Sequence, residues 1–183
     1  MVNSLESELY GPFILILDSD MINKKVVGGW TMPNLVEYVL VEPLMAALQK
    51  ETLVTISTVD HETGGPNVSA ISWLYAPDEK SILLAVNAAS RIVKNVVNNS
   101  ELVVNLMAND SVYSIHTEAT VKVEKIEEVP LKLALLQLEV KEVRDVMFYG
   151  AKISVEPKFE KTYDIEAAKK LDHQVMTAIR KYE

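Results

Sequence analysis

The stretch YSIHTEATVKV, Tyr113–Val123, changes character residue by residue. Tyr113, Ile115, Thr117, Ala119, Val121 and Val123 share one side, while Ser114, His116, Glu118, Thr120 and Lys122 share the other. A two-residue period with one polar face marks an antiparallel strand covered on one side only. LALLQLEVKEV, Leu133–Val143, repeats the pattern, with Leu136, Leu138 and Val140 set against Gln137, Glu139 and Lys141. That last strand is expected over about 133–144.

Working backwards, LVTISTV (Leu53–Val59), NVSAISWLYA (Asn67–Ala76), SILLAVN (Ser81–Asn87) and ELVVNLMA (Glu101–Ala108) read as four more strands. The first is rich in β-branched residues and runs into the turn-forming loop Asp60-His-Glu-Thr-Gly-Gly-Pro66. Pro77 to Lys80 form a second turn. Six strands joined mainly by short turns, with one helix inserted after Ser90, predict a mainly β (α+β) fold: an antiparallel barrel or sandwich rather than a βαβ sheet, with the barrel preferred. At the flanks, Leu35, Val36, Val39, Leu40, Leu44, Ala47 and Leu48 keep helical spacing. Pro43 is expected to divide that region into two short helices. Asp164 is an N-cap candidate for an amphipathic C-terminal helix carrying Ile165, Ala168, Leu171, Val175 and Ile179.

At 183 residues the chain has room for one domain, an added arm and a full core. A net charge of −8 argues against a general nucleic-acid binder, which presents a basic face. Cysteine is absent, which removes disulfides, thiolate nucleophiles and Cys-ligated metals and fits a reducing cytoplasmic setting. The N-terminal apolar run Phe13–Leu17 is too short for a signal sequence, and no stretch approaches the roughly 20 apolar residues of a membrane helix. A soluble cytoplasmic protein without membrane or nucleic-acid partners is expected. His61, His116 and His173 form no helix-spaced pair, so no metal site is expected.

The segment VNAASRIVKNVVNNSEL, Val86–Leu102, carries the chemical question. Ser90 suits an N-cap, and Ile92, Val93, Val96 and Val97 give the helix after it an apolar face. Its exposed side is expected to hold Arg91, Lys94, Asn95, Asn98 and Asn99. Cations at the positive end of a helix are unfavourable unless a negative charge stands nearby. Arg91 and Lys94 are then either solvated surface residues or, with the free N–H groups and the Ser90 hydroxyl, an anion site.

The order of these segments resembles the FMN-binding split β-barrel family, which includes pyridoxamine 5′-phosphate oxidase. The resemblance is carried by LVTISTVD (Leu53–Asp60), GPNVSAISW (Gly65–Trp73), LLAVNAASRIVKN (Leu83–Asn95) and NNSELVVNL (Asn98–Leu106). It spans about Leu48 to Lys125 and continues loosely over LLQLEVKEVRDV, Leu135–Val146. It implies a six-stranded antiparallel split β-barrel of Greek-key type with flanking helices. An N-terminal arm would occupy 1–50, the FMN-binding barrel 51–146, and a C-terminal extension packed on the same domain 147–183. It implies FMN lying along Ser69, Ala70, Ile71, Ser72 and Trp73, with Ala85, Val86 and Asn87 near its ribityl chain. The phosphate would meet Ser90 and Arg91, with Lys94 as a second cation. It further implies a homodimer with sites at the interface, a small-molecule substrate or electron donor, and oxidoreductase activity.

The chain departs from the oxidase's own pattern. The oxidase's glutamine contact aligns with Val112, the Gly-rich position of many relatives lies near Thr117, and no Arg-x-His pair occurs in Asp164–Glu183. Its basic residue at the start of the second flavin strand is Ser69 here. The oxidase's own reaction is therefore not expected. Catalytic residues are not assigned: no carboxylate pair has an acid–base signature. Haem- or deazaflavin-binding and a non-catalytic binding barrel stand as alternatives. Trp73 suits either a flavin ring or a packed interior, and Trp30 either a cover over the site or a packing anchor. Tyr75 and Tyr113 suit a ligand or a plain strand face, and His116 suits solvent better than proton transfer.

Overall fold

A computed structural model of the chain describes residues 36–183, which fall in the second of two units divided after Met32. The expectations for Phe13–Leu17, the early turns and Trp30 lie outside the described residues. Eight strands and three helices follow in order: β1 (Val36–Glu37), α1 (Glu42–Leu48), β2 (Val54–Val59), β3 (Pro66–Ile71), β4 (Leu74–Asp78), β5 (Ser81–Asn87), α2 (Arg91–Asn98), β6 (Glu101–Ala108), β7 (Ser111–Val123), β8 (Leu133–Asp145) and α3 (Ile165–Arg180).

All pairings are antiparallel, in the order β3-β2-β6-β7-β8-β5-β4, with β1 added beside β8. The two ends of this path, β3 and β4, are joined by Ser72 and Trp73 alone. Ile71 and Leu74 are three residue steps apart and so at most about 11 Å from each other, and the sheet has to curl until its ends meet. Covalent chain rather than a hydrogen-bonded ladder closes the barrel there, which makes it a split barrel. The single strand expected over Asn67–Ala76 is accordingly two strands. The inward-facing positions shift from odd to even across Ser72–Trp73, with Ile71 and then Leu74 and Ala76 meeting the same core, and the halves pair with different neighbours, Val54↔Ile71 on one side and Leu74↔Leu84 on the other.

The decisive stretch behaves as its pattern requires. Ile115, Thr117 and Ala119 of β7 are buried, and Glu118, Thr120 and Lys122 are exposed. The hairpin from β6 turns on Asn109 and Asp110, both at positive φ (51° and 61°), between the paired residues Ala108 and Ser111. That is the two-residue turn whose twist matches the flanking strands, and Asn and Asp tolerate its backbone.

The interior of the barrel is filled by residues such as Ile56, Leu84, Val104, Leu106, Ile115 and Leu136. A second apolar layer lies outside it, where Leu83, Ala85, Leu133 and Leu135 meet Val175 and Ile179 of α3. Strand β5 is therefore apolar on both faces, which is why ILLAV runs without alternation. Asp164 caps α3 by accepting from the Ala167 N–H at 2.7 Å. Ile165, expected on the apolar face, is exposed: burial along α3 begins one turn on, at Ala168.

Two further expectations change. The pair of helices over 34–51 is one helix, and Val36 and Glu37 pair instead with Arg144 and Val143. Pro43 lies in the first turn of α1, where its missing N–H removes no helical bond, so it starts the helix rather than dividing it. In α2, Asn95 is fully buried and Val97 is 74% exposed, the reverse of the expected arrangement.

Candidate functional site

The β2–β3 loop is built around Asp60. Its backbone closes the turn, accepting from Gly64 N–H and donating to Gly65 O, both at 2.8 Å, with Gly64 at a φ of 70° that disfavours a side chain. Its carboxylate Oδ1 accepts from the Thr63 N–H and hydroxyl, both at 3.0 Å, and from the Glu62 N–H at 3.2 Å. Oδ2 is left for Arg91, whose Nη1 donates at 3.0 Å. The backbone bond from Thr63, opposed by burial and reinforced by the Thr63 hydroxyl, Glu62 N–H and Arg91 charge, holds the Asp60 carboxyl below its ordinary value. Arg91 Nη2 reaches Glu62 Oε2 at 3.2 Å. The negative charge missing from the helix start in sequence is thus present within the chain, on a loop about thirty residues earlier.

Asn95 fixes the same loop from below. Its Nδ2 donates to Thr58 Oγ1 and its Oδ1 accepts from the His61 N–H, each at 2.9 Å. Because a backbone N–H can only donate, this contact sets the orientation of the amide. His61 Nδ1, also 2.9 Å from Oδ1, must then carry its proton. These partners explain why α2 buries Asn95 and turns Val97 outward: an apolar residue at 95 leaves the His61 N–H and Thr58 hydroxyl unpaired.

Beside this clamp lies the turn that opens α2. Ser90 N–H donates to Asn87 O at 2.9 Å, Asn87 Oδ1 accepts from Ala89 N–H at 2.8 Å, and Ser90 Oγ accepts from Val93 N–H at 3.5 Å. Asn87, Ser90, Arg91 and Lys94 are therefore brought to one end of the barrel, with Arg91 half-exposed and Lys94 exposed one turn on. A hydroxyl, a guanidinium, an ammonium and the free amides of a first helical turn are a donor set suited to a phosphate monoester. In their chemistry the residues fit FMN's phosphate, though Arg91 already holds two carboxylates.

The remaining expected residues separate. Ser69, Ala70 and Ile71 lie on β3, an edge strand, with Ala70 outward, and Ser69 opposite Ile56 on the inner face. Val86 fills the barrel interior and Ala85 lies under α3, so neither side chain faces solvent. Ser72 and Trp73 turn toward the C-terminal extension. Ser72 Oγ donates to Glu51 Oε1 at 2.9 Å and Trp73 Nε1 to Asp172 Oδ1 at 2.8 Å. Lys161 Nζ bridges both carboxylates, at 2.9 Å to Glu51 and 3.0 Å to Asp172, and stands 5.9 Å from the Trp73 ring centre. Burial pulls the Lys161 ammonium down, but hydrogen bonds to Glu51 and Asp172 outweigh it and hold the group above its ordinary value. Trp73 is partly buried among the α3 residues, and its N–H is committed.

Sequence reasoning passed over Asp60, Glu62 and the role of Asn95. The available signals were an Asp opening a Thr-Gly-Gly loop and an Asn spaced three from Ile92 on a short helix. Neither identifies a partner in another element.

The family model described as Pyridoxamine 5′-phosphate oxidase matches residues 40–147. Among solved structures, a pyridoxamine 5′-phosphate oxidase candidate from Lactobacillus delbrueckii is 17% identical with a TM-score of 0.50, covering 58% of this chain and 94% of its own. An FMN-binding protein from Syntrophomonas wolfei is 19% identical with a TM-score of 0.42, over 57% and 82% of the two chains. The haem storage protein of Vibrio cholerae is 12% identical with a TM-score of 0.44, over 58% and 94%. No curated protein matches the chain.

Proposed function

Because the chain belongs to the pyridoxamine 5′-phosphate oxidase family, we propose that it is an FMN-binding flavoprotein and an oxidoreductase acting on a small molecule other than the oxidase's own substrate. The observation that carries this reading is the convergence of Asn87, Ser90, Arg91 and Lys94 at the start of α2, inside the matched region. Ser90 and Arg91 bind the phosphate, and Lys94 adds long-range attraction. The edge strand β3, through Ser69, Ala70 and Ile71, orients the ring system by its backbone. When bound, the flavin supplies hydride and electron transfer. The protein works as a cytoplasmic homodimer. The outer edge of β3, where Val68 is 61% exposed, supports a subunit contact there. Among the described residues no helix is long and apolar enough to cross a membrane.

The test is the freshly purified protein. It should be yellow, release FMN on heating as identified by mass spectrometry, and take FMN up again after stripping. A colourless protein that cannot be reconstituted overturns the reading. The two carboxylates on Arg91, with Ser69 where the oxidase has its basic residue at the start of the second flavin strand, favour the alternatives: a barrel of the same family that holds haem or a deazaflavin, or a non-catalytic binding barrel. The same mass spectrum separates these.

A further inference from the structure

The two carboxylates on Arg91 are not equivalent. Asp60 is 4% exposed, and its Oδ1 is tied to three donors of its own loop, so it cannot leave without breaking the turn. The Glu62 side chain is 61% exposed and, among the described residues, pairs besides Arg91 only with His61 Nε2, at 3.7 Å. It sits on the solvent side of a guanidinium that is itself half-exposed. Asp60 is a fixture that aims the arginine. Glu62 is a removable counter-charge.

We propose that Glu62 competes with the cofactor's phosphate for Arg91, and thereby sets how strongly this chain prefers a phosphorylated flavin over an unphosphorylated one. The inference rests on the reading of the α2 start as a phosphate site. A phosphate monoester carries close to two negative charges at neutral pH. Brought to Arg91 it meets Glu62 as a like charge, and the glutamate must swing into solvent for the guanidinium to be shared. An exposed ion pair of this kind is worth at most about 1 kcal/mol, equivalent to roughly fivefold in a binding constant. The exchange is therefore reversible, and it tunes affinity without abolishing it. Asp60 stays in place throughout, so the arginine keeps its orientation in both states.

The test compares FMN with riboflavin, which differs by the phosphate alone, in fluorescence titrations of the apoprotein. The proteins are the wild type, Glu62→Gln and Arg91→Ala, with circular dichroism confirming that each is folded. Glu62→Gln should tighten FMN binding roughly fivefold and leave riboflavin unchanged. Arg91→Ala should weaken FMN and bring it toward riboflavin. Equal FMN affinity in wild type and Glu62→Gln, with Arg91→Ala still weaker, overturns the role of Glu62 and leaves the flavin site standing. An equal change for both flavins overturns it as well, because the effect is then not on the phosphate. FMN binding that Arg91→Ala does not affect overturns the phosphate assignment together with this inference. Failure of all three proteins to bind either flavin overturns the flavoprotein reading itself.

Discussion

Helices α2 and α3 both close the barrel, and they do so with opposite chemistry. Helix α3 lies on the outer face of β4 and β5 through Val175 and Ile179, which pack on Leu83, Leu133 and Leu135. Helix α2 adds to its buried Ile92 and Val96 a set of directed bonds, Asn95 to Thr58 and His61, and Arg91 to Asp60. Apolar contact tolerates small slides and rotations, because its energy follows area rather than direction. Hydrogen bonds to a buried amide fix rotation and register. The helix whose first turn is proposed to receive the phosphate is the one held by direction, and the helix that only covers is held by area.

Replacing one anchor in each region tests that contrast. Ile179 is fully buried, and Ile179→Ala should cost about 2–4 kcal/mol in urea unfolding, the usual range for a truncated core aliphatic. Flavin affinity should change little. Asn95→Ala should cost less, about 1–3 kcal/mol, mainly from the unpaired Thr58 and His61 groups left behind. FMN binding should fall along with it, because the α2 start loses its register. If Ile179→Ala damages flavin binding as much as Asn95→Ala, the division of labour between the helices is wrong.

Acid sharpens the same contrast. Asp60 titrates below its unfolded value of 3.8, so its contribution to stability is complete above that value. As the pH falls through the lower folded value, the native carboxylate takes up its proton and the contribution disappears. Acid unfolding of Asp60→Asn should lack this component, leaving the other carboxylates to set the curve. In a partly acidified wild type, α2 amides should lose hydrogen-exchange protection before those of α3. Simultaneous loss in both helices would show that the Asp60 clamp has no separate hold on α2.

Much of the architecture was legible in the sequence where one face of a strand decides its fate. Tyr113–Val123 and the caps Ser90 and Asp164 can be read directly, because alternation and capping are local. The break at Ser72–Trp73 is not legible, since the apolar run Trp73–Ala76 hides the shift of inward positions and only the pairing of each half with a different strand reveals two elements. The site shows the same division. The excess of positive charge at Arg91 is visible in sequence as a deficit to be balanced, but its counter-charge lies 31 positions away and nothing local names it. Asn95 is harder still. Val97 is the better apolar residue, and what turns the helix is the demand of the Thr58 hydroxyl and the His61 N–H, which belong to another element.

Lys161 bears on the contrast from the α3 side, where it pairs with Asp172 of the helix. It bridges Glu51 and Asp172, and its side chain is 24% exposed, so water still screens the pairs. Partly exposed pairs contribute up to about 1 kcal/mol, and Lys161→Met keeps an apolar stem while removing the ammonium that stands 5.9 Å and 5.4 Å from the Trp73 and Phe159 ring centres. The loss in urea unfolding should therefore be the smallest of the series. The spectroscopic effect should be clear, because the ammonium near the Trp73 ring and one partner of Asp172 are both removed while the Trp73 N–H bond remains. In a Trp30→Phe background the emission maximum of Trp73 should shift with little change in unfolding midpoint. A stability loss as large as that of Ile179→Ala would mean that α3 and the segment before it are held by charge, and the contrast between the two helices would collapse.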